Sequence, residues 1–82
     1  MEIDNDKVDD ATLALMYLVS FKFDQKLPGY SAWKSFDWDT LNRLYEKGFI
    51  SDPHNKNKSV SMSEEAHKKA EALFEEMFEK KN

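Results

Sequence analysis

At 82 residues and with no cysteine, the chain has room for one domain, which must hold together without disulfides or cysteine-based zinc. Its 12 basic against 16 acidic side chains leave a net charge of -4, which excludes a strong general attraction to phosphate; any nucleic-acid affinity has to come from local patches. The acidic start Met1-Glu2-Ile3-Asp4-Asn5-Asp6 is unlike a secretion signal, and the longest apolar stretch, Leu13 to Phe21, falls far short of the roughly 20 residues of a membrane span, so a cytoplasmic location with no membrane partner is expected.

The first predicted element is a helix from about Asp9 to Phe23, with Asp9 or Asp10 as its cap and residues 1–8 as a frayed, solvated lead-in. Ala11, Leu13, Ala14, Leu15, Met16, Leu18, Val19 and Phe21 fall on nearly every side of it, the pattern of a buried central helix. A strand over Met16–Phe23 is the competing reading, because Tyr, Val and Phe favour strands. Pro28-Gly29 signals a turn, and a short helix over about Tyr30 to Phe36 is expected after it. A third helix follows over about 38–47, capped by Asp37, striped by Trp38, Leu41, Leu44 and Tyr45, and stopped at Gly48. Phe49-Ile50-Ser51 and Ser59–Met62 read as the two strands of a hairpin, with a turn-rich tip over 52–58. Ser63 then opens an amphipathic last helix with the stripe Ala66, Ala70, Leu73, Phe74, Met77, Phe78.

Helix, short helix, helix, hairpin, helix is the order of a winged helix-turn-helix: mainly α, with a two-stranded wing, in one domain over residues 1–82. The junction Leu41-x-x-Leu44-x-x-x-Gly48-Phe49-Ile50 carries this reading, with leucines facing the core and glycine releasing the chain into the first wing strand.

Two partners fit such a layout, and a regulatory role in binding DNA is preferred. Duplex DNA would meet the outward side of the third helix through Thr40, Asn42, Arg43 and Lys47, with Lys34, Lys56 and Lys58 on phosphates. Asp37 and Asp39 oppose this, since they repel phosphate near the helix end that approaches the groove. The alternative is a protein-interaction module, such as a small acidic inhibitor or adaptor. Leu73, Phe74, Met77 and Phe78 are its partner or homodimer surface. Trp33, Phe36 and Trp38 form the most unusual cluster; core packing between the second and third helices is favoured over an exposed stacking platform.

Catalysis is not expected. His54 and His67 lie beside no recognisable nucleophile motif, and no glycine-rich phosphate loop exists. No cofactor or metal is expected either: the run Asp4, Asp6, Asp9, Asp10 lacks the glycine and distant glutamate of a calcium loop, and the histidines lack ligand spacing.

The passage Val60-Ser61-Met62-Ser63-Glu64-Glu65-Ala66 resembles the wing-to-last-helix segment of bacterial winged-helix regulators of the multiple-antibiotic-resistance type, with Ala66 where those have glycine. A closer resemblance is to a family of short bacterial proteins of unknown function, through Ala32-Trp33-Lys34-Ser35-Phe36-Asp37-Trp38, Arg43 to Pro53, and Lys56-x-Lys58-Ser59-Val60. It spans almost the whole chain and implies the fold, but no activity.

Overall fold

The computed structural model describes residues 1–22 and 24–80. Their elements run α1 (Asn5–Leu18), β1 (Ser20–Phe21), β2 (Tyr30–Trp33), α2 (Trp38–Glu46), β3 (Ser59–Met62) and α3 (Glu64–Phe78). Three helices and a small antiparallel sheet make the mainly α fold expected, with an element order compatible with a winged-helix layout.

Helix α1 starts four residues before the predicted cap. Asp4 caps it, accepting from Lys7 N at 3.2 Å, so residues 5–8 are helical rather than frayed. Asp9, expected at the cap, is instead a buried side chain in the helix interior. The helix ends at Leu18, where Ser20 Oγ donates to Tyr17 O at 2.7 Å and takes over a terminal carbonyl. Ser20 and Phe21 then form β1, so the strand reading was right for that pair; the predicted helix end at Phe23 lies outside the described residues.

The short helix predicted over Tyr30–Phe36 is absent. Residues 30–33 form β2, whose register runs Tyr30↔Met62, Ser31↔Ser61, Ala32↔Val60 and Trp33↔Ser59. Four residues are enough for a strand once a partner is present, and Gly29, at φ 84°, turns the chain into it. The wing differs as well. β3 pairs with β2, while Phe49–Ser51 is not a strand and meets β3 through Ser51 N donating to Ser61 O at 3.0 Å and Ser61 N donating to Ser51 Oγ at 2.9 Å. The serine hydroxyl replaces a backbone acceptor, and Pro53, two residues on, has no N–H to extend a ladder.

Local capping explains α2 and α3. Asp37 accepts from Thr40 N at 3.1 Å, and Ser63 accepts from Ala66 N at 3.0 Å. Gly48, at φ 83°, releases the chain after α2 as expected. The core joins Leu13 and Met16 of α1, Ala32, Val60 and Met62 from the inner side of the sheet, Leu41 and Leu44 of α2, Ile50, and Ala66 and Ala70 of α3. Each fully buried Leu or Met contributes roughly 1.5–3 kcal/mol. The small alanines let α3 lie close against α1. Tyr17 OH donates to Glu71 Oε2 at 3.1 Å, its ring meets Phe74 at 5.4 Å, and Ser20 Oγ lies 3.1 Å from His67 Nε2. These contacts make the two helices antiparallel. His67 also stacks on Tyr30, with ring centroids 3.5 Å apart and planes 10° apart.

Candidate binding surfaces

The sequence placed a basic reading face on α2, and the structure engages its cations internally. Asp9, buried on the facing side of α1, accepts from Arg43 Nε at 2.8 Å and from Lys47 Nζ at 2.8 Å; Lys47 Nζ also reaches Asp6 Oδ1 at 3.0 Å. Burial opposes the charge of Asp9, but the hydrogen bonds and positive charges of Lys47 and Arg43 outweigh it and hold the carboxyl below its ordinary range. The same bonds, from Asp9 and then Asp6, raise Lys47. Arg43 Nη2 donates to Thr40 Oγ1 at 3.1 Å, and Thr40 Oγ1 donates to Asp37 Oδ2 at 2.8 Å. Thr40 is fully buried and serves this network, so it cannot reach a base edge. Asn42 is half-buried, with Oδ1 lacking a hydrogen-bond partner.

Lys34 is also engaged. Its Nζ donates to Pro53 O at 2.8 Å, Asn55 O at 3.0 Å and Asn55 Oδ1 at 3.1 Å. Asn55 Nδ2 donates to Asp52 O at 3.0 Å, and Asn57 N to Asn55 Oδ1 at 2.9 Å. Asp52 Oδ1 accepts from His54 N at 2.8 Å, and the His54 ring lies edge-on to Trp38 at 5.1 Å. Those hydrogen bonds, with the His54 side chain, hold Asp52 below the ordinary carboxylate range. The predicted loose tip is therefore a tied loop with Pro53 buried beneath it. Lys56 and Lys58 are exposed on it, in no ion pair among the described residues.

The aromatic cluster is not core. Trp33 and Trp38 are each 47% exposed, while Phe36 packs on the core from its edge. Trp33 stands on the outer side of the sheet and leans on Phe21 at 4.7 Å. A small sheet has only one side covered here, so a ring at an outward register position stays in solvent.

The predicted partner surface divides. Leu73 packs against the core and Phe74 against Tyr17, while Met77 and Phe78 remain exposed. Sequence reading missed their continuation on α1. Val8, Leu15 and Leu18 are exposed, and their spacing of seven and three places them on one side of the helix, away from Leu13 and Met16. The signal was available: an all-round apolar pattern on a helix packed from one side leaves an unpartnered stripe. Antiparallel packing sets the end of α3, with Phe78, beside the first half of α1.

Among the described residues no helix is long and apolar enough to cross a membrane. A family model described as a domain of unknown function (DUF6429) matches residues 4–80. The chain is similar to the uncharacterized protein y4hR of Sinorhizobium fredii (strain NBRC 101917 / NGR234), at 46% identity over 78 residues, 95% of this chain and 97% of that protein. No solved structure matches.

Proposed function

The chain belongs to the DUF6429 family of bacterial proteins, and we propose that it is a small protein-interaction module that docks an amphipathic partner segment on the outer side of α1 and the end of α3. The observation carrying this reading is the exposure of large apolar side chains on both helices, Leu18 and Phe78 at 63% and 50%, with Val8, Leu15 and Met77. A small domain that leaves several large apolar side chains in solvent on two neighbouring helices offers a surface suited to a partner. Glu75 and Glu79 put negative charge beside Phe78 at the end of α3, which suits a segment with a basic flank there.

Reading duplex DNA through α2 fits less well. Arg43 and Lys47 are paired with Asp9, Thr40 is buried, and Asp37 and Asp39 stand at the helix start. A nucleic-acid role would have to rest on Lys56, Lys58 and the sheet instead.

The test is partner capture from a bacterial lysate by wild type and by the Leu18→Asp/Phe78→Asp variant, with thermal unfolding as the fold control. A species held by wild type and lost from an equally stable variant supports the reading; capture unchanged by the two aspartates refutes it. Sedimentation of the purified protein covers the homodimer. We expect a monomer at micromolar concentration, and a dimer dissociated by the same variant would make the partner another copy.

A further inference from the structure

The outer side of the sheet carries chemistry that neither the core nor the helical surface uses. Ser31 and Trp33 of β2 face Ser61 and Ser59 of β3 in register. Beside them the tied loop ends in Asn57 and Lys58, and a cavity of about 470 Å³ lies between, bordered by Trp33, Ser31, Ser59, Ser61, Asn57 and Lys58. That volume is in the range of small-ligand sites, about 300–1,000 Å³.

Three properties of this cavity point to a ligand. Its indole presents a half-exposed ring face, and Phe21 backs it as a second ring. The side-chain hydroxyls of Ser31, Ser59 and Ser61 and the side-chain amide of Asn57 make no hydrogen bond among the described residues, although the backbone N–H groups of Ser61 and Asn57 do. The loop that brings Lys58 to the rim is held in place by Lys34 and Asn55, so a bound ligand would not have to order it.

We propose that this cavity is a nucleotide subsite, stacking a base on Trp33, meeting the base edge or sugar with the serines and Asn57, and holding a phosphate with Lys58. Base stacking on an exposed aromatic is the usual grip on unpaired nucleotides, and it tolerates every base. Residues 53–62 carry Lys56 and Lys58 and no acid, which calls for an anion; a neutral sugar would leave both unused. The source of the nucleotide is either a free molecule or an unpaired strand. A duplex is excluded because its bases are already stacked on one another. The site is independent of the α1–α3 surface and of the protein-docking reading.

The test uses Trp38→Phe, which leaves Trp33 as the sole tryptophan reporter. Its fluorescence is titrated at low salt with a ribonucleoside monophosphate, a single-stranded 12-mer, the matching duplex and a neutral disaccharide. Saturable quenching by the monophosphate identifies a free nucleotide; quenching by the 12-mer alone identifies a strand. Either supports the proposal, provided that Lys58→Glu weakens it about tenfold with an unchanged unfolding midpoint. Trp33→Ala, read by anisotropy of a labelled monophosphate or strand, should weaken binding by a similar or larger factor. Lys58 is exposed, so its variant keeps the test sound if the tryptophan variant unfolds. No saturable response to either nucleotide form overturns the proposal. So does an equal response to the disaccharide or the duplex, or binding indifferent to Lys58→Glu.

Discussion

Replacing Asp9 by Asn keeps the shape of the side chain and removes its charge, which isolates the clasp between α1 and α2. The carboxylate is 1% exposed, whereas Arg43 and Lys47 keep 28% and 35% of their side-chain surface in water. Breaking a buried ion pair costs about 3–5 kcal/mol, chiefly through the charge left behind. Here the stranded cations can rehydrate, and Asn can still accept one hydrogen bond, so the expected loss is near the low end, about 3 kcal/mol. A domain of this length holds roughly 4–12 kcal/mol in all at ~0.05–0.15 kcal/mol per residue. The variant should therefore unfold at least 12 °C lower, at ~4–8 °C per kcal/mol. Urea titration at pH 7, followed by tryptophan fluorescence and by far-ultraviolet circular dichroism, measures the loss. Repeating it in an Arg43→Met background gives the coupling between the two side chains. A loss below about 0.5 kcal/mol in the single variant would refute the clasp as a structural element. It would also return Arg43 and Lys47 to the pool of cations available to a duplex.

The remaining predictions probe other parts of the same framework. Burial holds the His67 imidazole below its ordinary value of 6.5, and Lys22 lowers it further against the opposing pull of Glu71, so the unfolded chain takes up that proton first. The stability associated with the neutral ring should be intact above pH 6.5 and fall as the pH drops towards the folded value; His67→Gln should flatten urea midpoints between pH 7 and 5. Asp9 contributes fully above 3.8 and loses its share as the pH falls through its lower folded value, so Asp9→Asn should reduce the acid sensitivity of the fold at the bottom of the pH scale. Gly48→Ala adds a side chain in open space at φ 83° and should cost only the backbone strain, about 1 kcal/mol; Gly29→Ala adds a clash with Met62 O at 2.8 Å and should cost distinctly more by thermal unfolding. Lys34→Met should free the loop over 53–55, seen as faster amide exchange at Asn55 and Asn57, while the rest of the domain keeps its protection.

Elements whose instructions are local were legible in the sequence. Asp37 and Gly48 bound α2 within one turn of its ends, and Ser63 with a regular apolar stripe sets α3, so neither depends on a distant partner. Tyr30–Trp33 was misread because four residues carry no period that separates a turn of helix from a strand. What makes them a strand is Val60 and Met62, some thirty residues on. The acidic run at the start was misread for a related reason. Four aspartates in ten residues look like a solvated lead-in until Arg43 and Lys47 are seen to bury one of them. The candidate surfaces were legible in residue type only. Met77 and Phe78 are exposed while Leu73 and Phe74 pack inward, a difference set by how far the core extends along α3. Trp33 was assigned to the core on its size, but strand alternation directs it outward.

Helix α1 is tied at its first turns to α2 and at its last turn to α3, with Tyr17 and Glu71 separated by 54 positions. The packing of α1 is thus completed by an element some fifty residues further on. A nascent chain that has released only residues 1–62 exposes Leu13 and Met16 without Ala66 and Ala70 to cover them, and its sheet lacks the ring of His67 against Tyr30. Closure of this part of the core waits for α3 and carries the entropy of a long loop. Until then, at ~5–20 residues per second of synthesis, the apolar sides of α1 are open to any binding partner or chaperone at once.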